Sequence, residues 1–216
     1  MDEELNNYLL HTLPRDAHWM KELQRYAIEH HVPIMEPVSM NFLTQLVRMK
    51  QPKRILEIGT AIGYSALRMA DACPTTSVTT IEKSEEMYEE ALKNIMRFDE
   101  RQQIKIKHGD AIEVIQSLYK DDHTYDFIFI DAAKGKYQQF FELVQPLATD
   151  DVMIVCDNIL FRGYVADESK TDNKRFQKLA KKIRSFNDWL MQEANYQSSI
   201  VPIGDGLTIS IRKNIR

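Results

Sequence analysis

Residues 57–65 of this chain carry the sequence EIGTAIGYS, which is the most informative part of the chain about its fold. A run of β-branched and aliphatic residues precedes it, and a helical pattern follows it. Two glycines between a strand and a helix allow a tight backbone turn and the close approach of a ligand. The helix also begins with unpaired N–H groups. The turn is equally compatible with a purely structural connection, and it lacks the G-x-G-x-x-G pattern of dinucleotide-binding domains.

Outward from this stretch, strand-like runs alternate with helical patterns, which is typical of a parallel sheet with crossover helices. We predict strands at 54–58, 77–82, 104–108, 125–131 and 152–157, and helices at 65–72, 85–98, 110–118 and 137–143. Ser84 is predicted to cap the second of these helices. A polar loop at 162–173 and one more helix follow the fifth strand.

The end of the chain has a different pattern. Residues 196–202 and 207–212 alternate in polarity and flank Gly204-Asp205-Gly206, a hairpin signal. Five βα units followed by an antiparallel hairpin differ from a plain dinucleotide-binding domain, whose sixth strand is parallel. The first 50 residues are helical in pattern and contain three prolines, so they predict two or three helices ahead of the sheet. We therefore expect one domain of 216 residues, with an N-terminal extension at 1–50 and a core at 51–216.

Composition restricts the class of protein. The acidic start of the chain is unlike a secretory signal, and no apolar run approaches the ~20 residues of a membrane helix. Cys73 and Cys156 form no disulfide framework, and Cys156 lies in an apolar run, as a core residue does. We expect a reducing, cytoplasmic setting without a membrane partner.

The net charge of −4 gives no overall attraction to nucleic acid. Between residues 170 and 184, however, seven basic residues stand against one acid, Asp172. Such a run is usually a solvated helix face. It can also be a patch that binds phosphates, and the sequence leaves both interpretations open.

Two further strand ends point to a nucleoside ligand. Glu82 ends the second strand, where an acidic side chain can accept the hydroxyls of a ribose. Asp110 and Ala111 follow the third strand, where an adenine ring would lie. Glu82 can also be a surface residue, and Asp110 can be only the N-cap of the next helix. Together with the glycine turn, these strand ends favour an adenosine-containing ligand.

The fourth and fifth strands end in Asp131 and in Asp157-Asn158. Adjacent parallel strands would bring these side chains to one edge of the sheet, where two carboxylates repel each other unless a cation lies between them. Carboxylate and amide oxygens suit Mg²⁺, whereas the six histidines show no zinc-type spacing. Lys134 can be simply a lysine of a surface loop. Beside a metal-bound hydroxyl, it could instead stabilise an oxyanion or accept a proton.

The motifs EIGTAIGYS (57–65), FIDAAK (129–134), DN (157–158) and PIGDGL (202–207) together resemble the metal-dependent O-methyltransferases of the catechol and caffeoyl-CoA type. The resemblance runs from about residue 33 to the C-terminus. It implies a class I methyltransferase fold, which is Rossmann-like and α/β, with a seven-stranded sheet, a C-terminal antiparallel hairpin and an N-terminal helical extension. The dependence on S-adenosylmethionine and a divalent cation is implied as well.

Carried over to this chain, the resemblance implies three sets of residues. Asp131, Asp157 and Asn158 would hold Mg²⁺, or another divalent cation such as Mn²⁺. Lys134 and Asp131 would be catalytic. The cofactor would be surrounded by Met40, Glu57, Gly59, Ser65, Glu82, Asp110, Ala111 and Asp131. The chain departs from the catechol enzymes at Ala133, where they have an aromatic residue, and in the substrate loop at 161–164, which argues against a catecholamine substrate.

Within the group, the chain is most similar to a bacterial branch that methylates 5-hydroxyuridine at the wobble position of tRNA to 5-methoxyuridine. This resemblance implies the anticodon loop of tRNA as a partner and a homodimer as the assembly. The alternative is an O-methyltransferase of small catechol-like or phenolic substrates. A third interpretation, a nucleotide-binding oxidoreductase or a non-catalytic binding module, is opposed by the missing G-x-G-x-x-G and by the Asp131, Asp157 and Asn158 set.

Overall fold

The fold is described from a computed structural model that covers residues 3–121, 123–131 and 135–213. Its described part contains eight α-helices and seven strands. The helices are α1 (Glu3–Thr12), α2 (His18–Glu29), α3 (Pro37–Lys50), α4 (Tyr64–Ala72), α5 (Glu85–Phe98), α6 (Ala111–Leu118), α7 (Tyr137–Val144) and α8 (Lys174–Gln192). The strands are β1 (Arg54–Ile58), β2 (Ser77–Glu82), β3 (Ile104–His108), β4 (Tyr125–Ile130), β5 (Ala148–Cys156), β6 (Tyr196–Val201) and β7 (Leu207–Arg212).

The strands form one seven-stranded mixed sheet in the order β3-β2-β1-β4-β5-β7-β6. The sheet and its C-terminal antiparallel hairpin form the Rossmann-like α/β fold that the sequence predicts. The chain divides into two compact units, Met1–Val114 and Ile115–Arg216. In the described part of the chain, no helix combines the length and the apolar character that crossing a membrane requires.

The first unit contains α1 to α5 and three parallel strands. β1 pairs with β2 in the register Ile58↔Ile81, and β2 pairs with β3 in the register Glu82↔His108. Four of the five residues of β1 are buried, which fits a strand covered on both faces. The carboxyl ends of the three strands therefore lie side by side, and the connections that follow them share one edge of the sheet.

The second unit contains the second half of α6, the helices α7 and α8, the parallel pair β4–β5, and the hairpin β6–β7. Ile130 is opposite Cys156 in the β4–β5 pair, so the chain leaves both strands at the same level. β7 is antiparallel to both β5 and β6. The hairpin turn is closed by a hydrogen bond from the Gly206 N–H to the Ile203 carbonyl, 2.9 Å long. The Asp-Gly signal in the sequence thus marks a real turn.

Sequence and structure agree closely on the secondary structure. β1, β2, β3, β7 and α5 have the predicted bounds, and the Ser84 hydroxyl accepts the Met87 N–H at 3.4 Å as the predicted N-cap. β5 begins four residues earlier than predicted, because the polar start of this strand, Ala148–Asp151, shows no apolar pattern. Two short 3-10 turns, Phe161–Gly163 and Glu168–Lys170, lie within the segment that we expected to be a polar loop.

Candidate functional site

The glycine turn after β1 adopts a conformation that few residues tolerate. Gly59, Ala61 and Gly63 have φ values of 100°, 46° and 85°, in the left-handed region. The Gly63 N–H closes the turn on the Thr60 carbonyl at 2.8 Å. Asn94, buried in α5, donates its amide to the Ile62 carbonyl at 3.0 Å. The turn is thus ordered by its own glycines and by a neighbouring helix.

The Glu82 carboxylate supports this turn from the end of β2. One of its oxygens accepts the N–H groups of Thr60 (3.3 Å) and Ala61 (2.9 Å). The other accepts those of Lys83 (2.9 Å) and Ser84 (2.8 Å). A carboxylate has about four acceptor positions, and these contacts occupy all four. Glu82 as a residue is half-buried.

Glu57 lies beneath the turn and has no exposed surface. Its two carboxylate oxygens accept hydrogen bonds from the Ser65 and Thr80 hydroxyls, each 2.5 Å long. Because Thr80 donates its only hydroxyl proton to Glu57, the 2.5 Å contact between the Thr60 and Thr80 hydroxyls must be donated by Thr60. The described partners of Glu57 are therefore the hydroxyls that hold the turn and the start of α4.

Asp110 follows β3 and caps α6. Its Oδ1 atom accepts the Ile112 N–H at 3.0 Å, and its Oδ2 atom pairs with the Lys83 ammonium at 2.9 Å. Asp110 therefore is the N-cap of α6, which is one of the two roles that the sequence left open. Asp110 and Ala111 are both half-buried, so the capping role leaves part of their surface available to a ligand. Met40, in α3, is fully buried.

Seven of the eight residues expected around the cofactor lie in the first unit, and the eighth, Asp131, lies in the second. Gly59, Glu82, Asp110 and Ala111 lie at the three neighbouring strand ends, and Ser65 lies at the start of α4. Met40 and Glu57 are buried without exposed surface. Their predicted contact with a cofactor stays a prediction.

Asp131, Asp157 and Asn158 follow directly on β4 and β5. The Asn158 side-chain amide donates to the Asp131 Oδ1 atom at 3.1 Å, and the Asn158 N–H donates to the Asp157 Oδ1 atom at 2.7 Å. Asp157 is buried, whereas Asp131 and Asn158 are half-buried. Three oxygen-bearing side chains therefore meet where the sequence predicts them.

The chemistry of this cluster fits a hard cation. Among the described residues, no group of three His, Cys, Asp or Glu side chains could hold a metal ion. The cluster instead offers two carboxylates and one amide, which are ligand types of Mg²⁺. The Asn158 amide nitrogen lies against a carboxylate, and rotation of the amide by half a turn puts its oxygen in the same place.

Two groups beside the cluster are held in their neutral form. Burial raises the pKa of the Cys156 thiol to about 12, so this cysteine is an inert core residue, as the sequence predicts. Burial also raises the pKa of Tyr137 well above its usual range. The Tyr137 hydroxyl therefore keeps its proton and donates it to the Asp157 carbonyl at 2.7 Å. Lys134, the predicted catalytic lysine, lies outside the described residues.

Sequence reasoning missed several residues that touch these sites. Thr80 and Thr60 complete the Glu57 network, and no sequence pattern marks a threonine as the partner of a distant carboxylate. Tyr137 and Asn187 contact the segment that follows β5, although the sequence suggests only helix residues. Asp205 was interpreted solely as a turn residue. Its place in PIGDGL, a motif of the resemblance, was a signal that could have singled it out.

Comparison with known proteins identifies the family. The sequence profile of the family described as O-methyltransferase matches residues 11–213. The chain is 30% identical over 217 residues to an Arabidopsis thaliana protein provisionally named a caffeoyl-CoA O-methyltransferase, with 97% of this chain and 94% of the relative covered. A Staphylococcus aureus crystal structure with the same provisional name has a TM-score of 0.86 at 34% identity and covers 98% of both chains. The O-methyltransferase of Bacillus cereus, solved in complex with SAH, has a TM-score of 0.84 at 25% identity and covers 97% of both chains.

The chain therefore belongs to the O-methyltransferase family and is an S-adenosylmethionine-dependent enzyme of the caffeoyl-CoA O-methyltransferase type. This sets aside the interpretation as a nucleotide-binding oxidoreductase or a non-catalytic binding module.

Proposed function

We propose that this enzyme transfers the methyl group of S-adenosylmethionine to a hydroxyl of a small vicinal diphenol, with a divalent cation at Asp131, Asp157 and Asn158. One observation carries the proposal: two carboxylates and an amide meet at neighbouring strand ends, with 3.1 Å between the Asn158 Nδ2 and Asp131 Oδ1 atoms. The caffeoyl-CoA names of the relatives support a phenolic acceptor.

The three side chains have complementary parts in this proposal. When bound, Mg²⁺ or Mn²⁺ lowers the pKa of a neighbouring hydroxyl and makes an oxyanion available near neutral pH. Asp131 and Asp157 supply the negative charge that offsets the cation, and Asn158 supplies a neutral oxygen. Asp131 and Asn158 are half-buried, which leaves their exposed sides to the two oxygens of an acceptor.

For the methyl donor, we propose the strand ends of the first unit. S-adenosylmethionine supplies a sulfonium methyl, and its transfer to oxygen leaves S-adenosylhomocysteine. Gly59 and Ser65 shape the turn, and Asp110 and Ala111 lie where the adenine is expected. Glu82 already accepts four N–H groups, so ribose hydroxyls must share its oxygens. The weakest of these contacts, 3.3 Å from the Thr60 N–H, is the one most easily replaced.

Two parts of the proposal rest on the family resemblance. Lys134 corresponds to the catalytic lysine of the catechol enzymes, where its ammonium form would stabilise the acceptor oxyanion or its neutral amine would accept the proton of the acceptor hydroxyl. A homodimer is the assembly that the same resemblance implies.

The test is methyl transfer from labelled S-adenosylmethionine to a panel of catechols that includes caffeic acid and caffeoyl-CoA, with and without EDTA. We expect label in a vicinal diphenol and its loss with EDTA. Transfer that is unchanged by EDTA would remove the cation from the mechanism. Transfer to none of the diphenols would contradict the acceptor class.

A second candidate acceptor is 5-hydroxyuridine in the anticodon loop of tRNA, and the surface of α8 favours it. Lys174, Arg175, Lys178, Lys181 and Lys182 are all exposed there. The 5-hydroxyl and 4-oxo oxygens of this base form a vicinal pair, as the two oxygens of a catechol do. An anticodon base is unpaired, so reaching it costs little. Basic residues near the site would contact the RNA phosphates.

This candidate is tested with tRNA that carries 5-hydroxyuridine in the same labelling assay. If tRNA is the substrate, charge reversal of Lys178, Lys181 and Lys182 should lower tRNA methylation by about 10-fold and leave a small diphenol unaffected. The control variant reverses Lys21, Arg25 and Lys105 in the first unit, which changes the net charge equally. Equal losses in both variants, or equal losses for RNA and diphenol, would exclude a local phosphate patch on α8.

A further inference from the structure

The segment that follows β5, residues 157–162, has an unfavourable backbone conformation. It contains Asp157 and Asn158 of the proposed cation site. Asn158, Phe161 and Arg162 have φ values of 62°, 46° and 56°, in the left-handed region where non-glycine residues are disfavoured. Such a conformation costs roughly 1 kcal/mol or more for Phe161 and Arg162, and less for Asn158, because asparagine adopts it more readily. It persists only where the surroundings hold it, and three separate groups of the second unit do so.

The first group is the Tyr137 hydroxyl, at the start of α7. It donates to the carbonyl oxygen of Asp157 at 2.7 Å. The Tyr137 side chain is 2% exposed and stacks on Phe186 with 5.3 Å between ring centroids. A ring packed in this way fixes the position of its hydroxyl. It thereby fixes the backbone of Asp157 at the point where the chain leaves β5.

The second group is the Asn187 side chain, in α8. Its amide nitrogen donates to the Ile159 carbonyl at 2.9 Å. Its amide oxygen is buried and has no hydrogen-bond partner among the residues the structure describes. A buried acceptor without a partner costs about 1–3 kcal/mol. An apolar side chain would avoid this cost, so the amide at this position has to be explained by the bond that it makes to the segment.

The third group is the β6–β7 turn. The Gly206 carbonyl accepts the Ile159 N–H at 3.1 Å, and the Asp205 carbonyl accepts the Leu160 N–H at 2.8 Å. The Asp205 carboxylate accepts the Arg162 N–H. A Cβ at Gly206 would lie 2.3 Å from the Leu160 side chain, so only glycine allows this approach. The turn thus fixes the backbone of the segment from residue 159 to residue 162.

We propose that Tyr137, Asn187 and Asp205 are positioning residues that hold residues 157–162 in the conformation in which Asp157 and Asn158 bind the divalent cation. The inference rests on the proposed function, because it assumes that these two residues are cation ligands. None of the three positioning residues needs to touch the cation or the substrate. Each acts on the backbone that carries the ligands, as supporting groups around metal ligands commonly do.

The test compares Tyr137→Phe and Asp205→Ala with the wild-type enzyme, using Mn²⁺ as the probe. Mn²⁺ affinity is measured by electron paramagnetic resonance without substrate, and unfolding is followed in urea. We expect each variant to remain folded and to bind Mn²⁺ about 10-fold more weakly. The Mn²⁺ concentration for half-maximal activity should rise by the same factor, with S-adenosylhomocysteine affinity unchanged. Asp205→Asn keeps an acceptor oxygen for the Arg162 N–H and should restore the affinity.

Tyr119→Phe is the matched control. The Tyr119 hydroxyl donates to the Leu143 carbonyl at 2.6 Å, which is the same kind of bond in the same unit. Its loss should not change Mn²⁺ affinity. If Tyr137→Phe and Asp205→Ala lower stability but bind Mn²⁺ like the wild type, the positioning role is wrong and the proposed cation site stands. If the wild-type enzyme itself binds no Mn²⁺, the cation site is wrong and this inference fails with it.

Discussion

The turn at 59–63 and the segment at 157–162 each follow a buried parallel strand, yet they are held in different ways. The first turn has glycine at two of its three left-handed positions, and its supports, Glu57 and Glu82, come from the first two strands of the same unit. The second segment has left-handed residues that are not glycine, and its supports come from α7, α8 and the last hairpin. A loop can therefore be ordered by its own sequence or by contacts that form only in the folded chain.

The carboxylates also differ between the two regions. In the first region, the hydroxyl and N–H donors of the protein already surround Glu57 and Glu82. In the second, the Asn158 side-chain amide donates to Asp131, and the Asn158 backbone N–H donates to Asp157. The first arrangement stabilises the fold by itself, whereas in the second the proposed cation would offset the charge of the carboxylates.

The largest expected effect is that of Asp157→Ala. We predict loss of cation binding and a fall in methyl transfer of about 100-fold or more, because an essential ligand is removed. The fold should remain, since repulsion between two neighbouring carboxylates is relieved. Mn²⁺ binding, methyl transfer and circular dichroism measure the three quantities. Loss of the folded state would show that Asp157 has a structural role like that of Glu57.

Glu57→Ala, unlike Asp157→Ala, should destabilise the fold. Removing this carboxylate leaves the Ser65 and Thr80 hydroxyls buried without their acceptor, so we predict that the free energy of unfolding falls by about 3 kcal/mol. Urea unfolding measures the change, and S-adenosylhomocysteine binding should weaken because the turn loses its support. Glu57→Gln, which keeps one acceptor oxygen, is the control and should be milder. A variant as stable as the wild type would contradict the contrast between the two regions.

A smaller effect on the free energy of unfolding is expected from Cys156, which directly precedes the segment at 157–162. The folded thiol keeps its proton up to a pH of about 12, whereas an unfolded thiol loses it near 9.0. Between these values the unfolded state binds fewer protons, so the free energy of unfolding falls as the pH rises. We predict that this thiol alone accounts for a loss of about 1.4 kcal/mol by pH 10. The measurement is urea unfolding at pH 8 and 10, and Cys156→Ala should show a correspondingly smaller loss.

The smallest effects concern the helix caps, which serve as reference substitutions for both regions. Ser84 caps α5 in the first unit, and Asn173 caps α8 in the second by accepting the Arg175 N–H at 2.9 Å and the Phe176 N–H at 3.3 Å. Replacing either residue with Ala should lower the free energy of unfolding by about 1 kcal/mol. Neither change should affect cation or cofactor affinity. An effect of Asn173→Ala on Mn²⁺ affinity would mean that general destabilisation can imitate a positioning role.

Much of the first region could be predicted from the sequence. The EIGTAIGYS stretch, the strand alternation and the acid at the end of β2 are local patterns, and the structure has β1, β2 and β3 at the predicted bounds. The convergence of Asp131, Asp157 and Asn158 also follows from sequence, because parallel strands end at a common edge. The hydrogen bonds of Glu82 to four N–H groups could not be predicted, since they depend on side-chain orientation and not on spacing.

The sequence by itself determined the α/β class, the family and the cluster of oxygen-bearing side chains, because periodicity and strand-end position are encoded along the chain. Only the tertiary structure decided that Tyr137, Asn187 and Asp205, which are separated by up to 68 residues, contact one segment after β5. Contacts of this kind arise from packing between distant elements. A left-handed Arg162 has no local signal, because its backbone conformation is imposed by those partners and is not preferred by its own residue type.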